Sequence, residues 1–269
     1  MSSGKPPLRV TNLGWKTDIA VIGSGAETTD SDGDLVIRTV DRKDFYWGNF
    51  LLLAEAPAEA DIDKCIERFL SLFPKEVYGH IAIGWHAPNL QASEPFLRRG
   101  FQLDHCHVSV SSSVPKPSRK LEQLEVVEAQ TDEDWNAICQ LSLADRDPIH
   151  SHEGYESFVR QQILTRRTLV REGSMTWFVG KLQGKVVGSM GLHIADGAGR
   201  FQDVVTHKDY RGRGVCGTLL TEVCRRGLEE LGAQTLVLLA SVDGPGWRIY
   251  QAHGFVASDS VCGVWLPPQ

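Results

Sequence analysis

A glycine-rich loop in the second half of the chain carries the residues best suited to chemistry. It reads Arg211-Gly212-Arg213-Gly214, and apolar residues recur at helical spacing from Val215 onward. The first N–H groups of a helix have no partners within the helix, and the helix dipole favours negative charge there. Glycines let the backbone approach a ligand closely, and the two arginines add positive charge. The pattern therefore predicts an anion site for a ligand that carries phosphate.

Two motifs compete for this loop. Gly212, Gly214 and Gly217 match G-x-G-x-x-G, the dinucleotide-binding fingerprint. That fingerprint requires the strand to run directly into the first glycine, whereas the polar segment 206–211 intervenes here. It also requires an acidic residue about 20 residues further on, at the end of the next strand. The strand pattern at 235–241 contains no acid, so the spacing disfavours a dinucleotide site.

A different pair of motifs fits the chain better. Arg211-x-x-Gly214-x-Cys216 resembles the Q/R-x-x-G-x-G/A motif of the GCN5-related N-acetyltransferases, the GNAT superfamily. Segment 250–255 reads Tyr-x-x-x-Gly-Phe and resembles a second signature of that family, in the family's order. The resemblance covers residues 124–269. Cys216 is a departure, because the family has Gly or Ala at that position.

The resemblance implies how acetyl-coenzyme A is bound as a cosubstrate. In the family the loop amides bind its pyrophosphate. The strand before the loop splays from its neighbour, and its free backbone amides bind the pantetheine arm and the acetyl oxygen. A simple strand would have the same sequence, since the role lies in the backbone. The corresponding cofactor-binding residues here are Val204, Val205, Thr206, Arg211, Gly212, Arg213, Gly214, Val215, Cys216 and Gly217.

Tyr250 matches the family tyrosine that protonates the leaving thiolate. A phenol has a pKa of about 10, close to that of a thiol, so proton exchange between them is nearly balanced. The alternative role for Tyr250 is packing beside Trp247 and Phe255. Both roles stay open at the level of sequence.

The general base is not evident. The family often has a glutamate at the start of the central strand, where this chain has Arg200. Asp203 on that strand and His193 on the preceding hairpin are candidates, and a chain of water molecules is another. A surface aspartate and a core histidine without catalytic roles would look the same in sequence.

A metal site is the weaker interpretation of the polar loop near 145–153. His150, His152 and Glu153 offer ligands, but nothing else supplies a coherent set, and no two cysteines have C-x-x-C spacing. We therefore interpret the loop as a polar segment near the substrate opening and predict no metal.

The elements that must position these residues follow the family's order. Segment 124–127 predicts a strand, and Thr131-Asp132-Glu133-Asp134 resembles a capping box before a helix. A second helix is predicted at 156–166, and a hairpin around Gln183-Gly184 precedes the central strand. The predicted fold class is α/β (α+β), with a mixed, mostly antiparallel sheet flanked by helices.

The first half of the chain repeats part of this order. Segment 8–22 predicts short strands, Asp61 to Phe73 a helix and 80–85 a strand. Segment 98–101 reads Arg-Arg-Gly-Phe and resembles the Gly-Phe signature near the C-terminus.

The matching loop of this half lacks the anion-binding chemistry. It contains neither arginine nor glycine, and its Glu55 and Glu59 would repel phosphate. A serine- and proline-rich spacer follows at 111–120. We predict two GNAT-like domains, a degenerate one without a cofactor loop at 1–115 and an acetyl-coenzyme A-binding one at 121–269. The alternative for the first is an unrelated α/β domain.

Composition excludes several classes of function. The net charge of the 269 residues is −6 and neither half has an excess of basic residues, which argues against nucleic acid as a partner. No apolar run approaches the ~20 residues of a membrane span, and no signal-type apolar core follows the first residues. Six cysteines without a C-x-x-C pair indicate reduced thiols and a cytoplasmic protein.

Together these patterns predict an N-acetyltransferase that transfers an acetyl group from acetyl-coenzyme A directly to a primary amine. The acceptor would be a small molecule or a peptide, with no nucleic acid or membrane as partner, and the protein a monomer or a homodimer. The alternative from another class is a non-catalytic module that binds coenzyme A or a partner and transfers nothing.

Overall fold

The structure is a computed structural model, and it describes residues 8–39, 41–86, 89–116, 120–146, 152–242, 244 and 246–268. These residues group into two compact units. The first unit comprises the chain up to residue 108 together with 239–244 and 257–269. The second comprises 109–238 and 245–256.

Helices and strands are numbered along the chain. Those of the first half are α1 (Leu13–Ile22), β1 (Ala26–Ser31), β2 (Asp34–Thr39), β3 (Asn49–Leu53), α2 (Ile62–Leu72), α3 (Lys75–Tyr78), β4 (Ile81–Trp85), α4 (Glu94–Leu97) and β5 (Gln102–Ser111). Those of the second half are β6 (Glu125–Glu128), α5 (Asp132–Ala144), α6 (His152–Arg171), β7 (Met175–Leu182), β8 (Lys185–Ala195), β9 (Ala198–Thr206), α7 (Val215–Glu229), β10 (Thr235–Ser241), α8 (Gly246–Ala252) and β11 (Val256–Leu266).

The first unit is built on a mixed sheet with the order β1-β2-β3-β4-β11-β5. Strands β3 and β4 are parallel, and β11 is antiparallel to β4. Helix α2 covers the sheet with Phe69, which is fully buried beside Phe73. Burial of one such side chain contributes about 1.5–3 kcal/mol. The predicted helix at 61–73 and the strand at 80–85 are confirmed as α2 and β4.

The prediction of short strands in segment 8–22 was wrong, because residues Leu13–Ile22 form α1. Asn12 caps this helix, and its side chain accepts a hydrogen bond from the Trp15 N–H at 3.2 Å. Trp15 and Val21 are buried. The segment has no clear apolar periodicity, so packing of these side chains, rather than a local pattern, selects the helix.

The last strand of the chain belongs to the first unit. In β11, Trp265 lies opposite Ala82 of β4 in an antiparallel register. Residues 257–268 group with the first unit, where β11 pairs with β4. The domain bounds 1–115 and 121–269 stay a prediction. That the two units are related copies stays a prediction.

The second unit is a mixed sheet with the order β10-β9-β8-β7-β6, in which only β9 and β10 are parallel. The predicted hairpin joins β7 and β8. Its turn residues Gln183 and Gly184 have φ of 52° and 79°, as a two-residue hairpin turn requires. The predicted fold class, an α/β (α+β) arrangement with a mixed sheet flanked by helices, is confirmed.

Helix α5 begins where the sequence provides a cap. Thr131 accepts a hydrogen bond from the Asp134 N–H, and the Asp134 carboxylate accepts one from the Thr131 N–H, which confirms the predicted capping box of α5. Helix α6 is longer than predicted, running from His152 to Arg171. None of the helices in the described part of the chain is long and apolar enough to cross a membrane.

The capping box gives a first testable prediction. Thr131→Ala removes the side-chain acceptor of α5 and should lower the free energy of unfolding by about 1 kcal/mol. Thr131→Ser keeps a hydroxyl at this exposed position and serves as the matched control. Urea unfolding followed by circular dichroism measures both. Equal stability of the alanine and serine variants would show that the cap contributes nothing.

Candidate functional site

The glycine loop ends in an open helix terminus. Gly212 and Gly214 have φ of 72° and 88°, a region that L side chains rarely adopt. Gly214 is the N-cap of α7 and has no side chain to bind the first-turn amides, and the first helical bond runs from the Thr218 N–H to the Gly214 carbonyl at 3.0 Å. The amides of Val215, Cys216 and Gly217 therefore stand at an uncapped helix end, which suits an anion.

Two cations lie over the ring of Tyr210, which precedes this loop. The Arg213 guanidinium and the Lys185 ammonium are 5.4 and 5.5 Å from the centroid of the Tyr210 ring. Cations over an aromatic face are held by its negative charge density. Lys185 was missed in the sequence because it begins β8, far from the loop along the chain. Its only sequence signal is its position after Gly184.

Arg211 differs from Arg213 in its contacts. Its guanidinium forms an ion pair with Asp145, the C-cap of α5, and its Nε donates to the Thr206 carbonyl at 3.1 Å. The side chain thus braces the loop against the end of α5 and against its own strand. Its predicted role as a cofactor contact stays a prediction, and the structure gives it a bracing role in addition.

The strand that enters the loop separates from its parallel neighbour. The register between β9 and β10 extends from Ala198 to Arg200, which lies opposite Val237. Strand β9 continues in register with β8 as far as Thr206, opposite Gly188. The described residues of β9 beyond Arg200 therefore have a partner strand on one edge alone. No strand pairs with them on the other edge, and that Val204, Val205 and Thr206 bind the cosubstrate there stays a prediction.

A β-bulge lies at the start of this open edge. Ser189 of β8 faces Val205 of β9, whereas Gly191 faces Gln202, so β9 contains one extra residue. Asp203 in this gap has a φ of 46°, in the left-handed region that aspartate tolerates better than most residues. The bulge bends the strand where it leaves β10.

Tyr250 lies on α8 and is 7% exposed. Its ring centroid is 6.4 Å from that of Phe255, which in turn packs against Phe201. Burial, and to a smaller extent the neighbouring Cys216 thiol, raise the pKa of the Tyr250 phenol above its usual value, while Arg200 lowers it slightly. The phenol is therefore protonated at neutral pH, as a proton donor must be. Its contacts are equally those of a packing residue.

Two predicted loop residues, Gly217 and Cys216, have properties that do not depend on a ligand. A Cβ on Gly217 would lie 2.6 Å from Nε2 of His253, so only glycine lets α7 approach this buried ring. The His253 ring is fixed by its Nδ1, which lies 2.7 Å from the Ile249 carbonyl. Burial raises the pKa of the Cys216 thiol to about 11, so it is neutral and unsuited to act as a nucleophile.

One buried arginine, Arg166, contacts the first candidate base, Asp203, and acts electrostatically on the second, His193. Asp203 forms an ion pair with Arg166 of α6, with 3.3 Å between Oδ2 and Nε. His193 is 6% exposed, and burial and then the positive charge of Arg166 lower its pKa. Arg166 was missed because α6 contains several arginines and nothing local distinguishes the one that faces the sheet.

The described residues contain no cluster of potential metal ligands. No group of three or more His, Cys, Asp or Glu side chains there is placed to hold a metal ion. His150, part of the metal interpretation considered above, lies outside the described residues, and His152 begins α6. The absence of a metal therefore stays a prediction.

Solved structures with the same fold were found along nearly the whole chain. A functionally unknown conserved protein from Staphylococcus epidermidis matches with a TM-score of 0.76 at 14% identity over 91% of this chain and 95% of its own. A GCN5-related N-acetyltransferase from Kribbella flavida matches with a TM-score of 0.68 at 11% identity over 96% and 97%. A tandem GNAT protein from the clavulanic acid biosynthesis pathway gives 0.52 at 13% over 98% and 91%.

At these identities the likeness shows the fold alone. A search of curated protein sequences found no match. A family model does match: the acetyltransferase (GNAT) family is found at residues 135–255, a range that contains the bulge, the glycine loop and Tyr250. The chain therefore carries a domain of the GNAT acetyltransferase family in its second half.

Proposed function

We propose that the second unit is an N-acetyltransferase that transfers an acetyl group from acetyl-coenzyme A to a primary amine. The family match supports acetyl transfer as the general function. The observation that carries the proposal is the uncapped terminus of α7 next to the open edge of β9. The first accommodates the pyrophosphate of the cosubstrate, and the second accommodates its amide-containing arm.

The residues fit acetyl-coenzyme A in charge as well as in shape. A Cβ on Gly212 would meet no atom within 4 Å, so the loop is open on that side. Arg213 and Lys185 supply positive charge for the phosphates. The backbone of Val204 to Thr206 supplies donors and acceptors for the pantetheine amides and a donor for the acetyl oxygen. These contacts orient the thioester towards the bulge.

The proposed reaction is a direct transfer. The amine nitrogen bonds to the acetyl carbon, and the carbon–sulfur bond breaks with its electron pair on sulfur. Tyr250 donates its phenol proton to that sulfur, and a base takes one proton from the nitrogen. The nitrogen loses its proton after attack, when its positive charge makes it far more acidic than a free ammonium ion. Exchange of protons with solvent then returns Tyr250 and the base to their starting protonation states.

Two observations favour a non-catalytic alternative. Burial raises the pKa of Tyr250, which makes the phenol a weaker acid, and the Asp203 carboxylate is already paired with Arg166. A module that binds coenzyme A without chemistry would have the same loop. Thioester turnover with a panel of amines separates the two, because the alternative gives binding without turnover. For the catalytic function we propose a small molecule or a peptide as the acceptor and the cytoplasm as the location.

The loop is tested with Gly214→Glu, which introduces a carboxylate and bulk at the helix terminus. Binding of acetyl-coenzyme A in titration calorimetry should weaken by at least ~1.4 kcal/mol, a tenfold change. Gly232→Glu is the matched control, because Gly232 lies just beyond the other end of α7 and has a similar φ of 83°. Unchanged affinity in folded Gly214→Glu would refute the assignment of the loop.

The number of sites per chain is a separate prediction. The region of the first unit where β3 leads towards α2 borders a cavity of about 700 Å³ that is lined by charges of both signs. The acidic ones include Glu55 and Asp61. Acidic residues also precede α2 and lie in its first turn, which is where an anion would otherwise bind. We expect calorimetry of the full chain to give one molecule of acetyl-coenzyme A per chain. Two equivalent sites would contradict this.

Tyr250→Phe tests the proton donor. The change removes one hydroxyl and little volume, so the melting temperature and the affinity for acetyl-coenzyme A should change little. Turnover should fall by roughly 10²-fold or more, mainly in kcat, because the proton is needed only as the thiolate leaves. A packing role predicts the opposite, a stability change with normal turnover. Wild-type kcat in a folded variant, with chemistry limiting the rate, would remove Tyr250 from the mechanism.

A further inference from the structure

The bulge of β9 places two consecutive side chains on one face of the sheet. In a regular strand successive side chains point to opposite faces. Here Gln202 and Asp203 follow each other, yet both contact the same guanidinium of Arg166. The extra residue of the bulge and the positive φ of Asp203 make this arrangement possible.

Arg166 holds this arrangement with directed contacts. Its NH2 group donates to Oε1 of Gln202 at 2.7 Å, and its Nε donates to Oδ2 of Asp203 at 3.3 Å. The Gln202 amide is itself oriented, since its Nε2 donates to the Phe201 carbonyl at 3.0 Å. Arg166 is 5% exposed. A buried cation is costly unless paired, so the guanidinium and the bulge depend on each other.

His193 lies on the neighbouring strand at the point where the open edge begins. It is opposite Arg200, the last residue of β9 that pairs with β10. Burial of the ring, and after it the charge of Arg166, lower the pKa of His193, which keeps the imidazole neutral at pH 7 and able to accept a proton. Arg166 therefore acts on both features that surround the bulge.

We propose that Arg166 is a positioning residue for acetyl transfer: it locks the bulge of β9 through Gln202 and Asp203 and sets His193 as the group that takes the proton from the acceptor nitrogen. This inference rests on the proposed function, and it selects His193 over Asp203 as the base. Asp203 is the anchor of the arginine. The proton moves from the nitrogen to the imidazole after the nitrogen–carbon bond has formed, and His193 then releases it to solvent.

Two arginines concern His193: Arg200 lies opposite it on β9, and Arg166 is the one whose charge lowers its pKa. Asp132 is paired with Arg167, and Asp134 with Lys181. Burial and Arg166 are the two causes of the lowered pKa of His193. The charged and titratable groups on the elements that pack around α6 are Asp132, Glu133, Asp134, Cys139 and Asp145 at α5, Lys181 on β7, Lys185 and His193 on β8, and Arg200 and Asp203 on β9.

The test compares Arg166→Met and Arg166→Lys with the control Arg167→Met, which removes the neighbouring arginine from the same helix. The first readout is the titration of the His193 ring by NMR in the full chain, with the signal assigned through His193→Gln. The second is the pH profile of kcat/KM with acetyl-coenzyme A and the amine of the panel that gives the fastest turnover. Circular dichroism confirms that each variant is folded.

In Arg166→Met the His193 titration should move to higher pH, because a nearby positive charge is lost. The acid limb of kcat/KM should move with it, since the base must be neutral, and kcat should fall roughly 10²-fold from the displaced bulge. Arg166→Lys should keep the titration near that of wild type but lose part of kcat, because an ammonium cannot reproduce the planar contacts. Arg167→Met should change neither.

Several outcomes would overturn the inference. If Arg166→Met leaves the His193 titration unchanged, the arginine does not act on this ring. If the titration moves but the acid limb does not, His193 is not the base. If Arg166→Met does not fold, Arg166→Lys decides: wild-type kcat there refutes the positioning role. Absence of turnover in the wild type would contradict the proposed function instead, and the NMR titration still tests the arginine.

Discussion

The proposed site depends on one set of groups, the first-turn amides of α7, which no side chain caps. Gly214 provides the backbone conformation that starts the helix but no side chain to cap it. These donors and the positive end of the helix dipole attract negative charge. The surrounding residues support this terminus. The Arg211–Asp145 ion pair holds the loop, and Arg213 and Lys185 add positive charge. Gly217 leaves room for the His253 ring to pack against the first turn.

The second constraint is the bulge of β9, which turns a continuous strand into a site. Up to Arg200 the strand pairs on both edges, and beyond it the edge towards β10 is open. A break of this kind exposes backbone groups that a sheet normally uses, so the surrounding structure must hold it. Arg166 supplies that support from α6 by binding two consecutive side chains.

The sequence predicted features that depend on local chemistry. The capping box at Thr131, the hairpin at Gln183-Gly184 and the glycine loop are each specified by a few adjacent residues. It did not predict features that depend on long-range contacts. Helix α1 is selected by burial of Trp15 rather than by periodicity, β11 completes a sheet formed by residues far away in sequence, and one arginine among several in α6 faces the bulge. Such choices require the fold to be known.

In the proposed site the α7 terminus and the open edge of β9 bind one ligand together. Amide NMR of the isotope-labelled chain during titration with coenzyme A measures both segments at once. We expect saturable shifts at the amides of Val204 to Thr206 and of Gly212 to Cys216, at the same ligand concentration. Saturable shifts confined to residues 54–61 of the first unit, or no saturable shift at either segment, would contradict it.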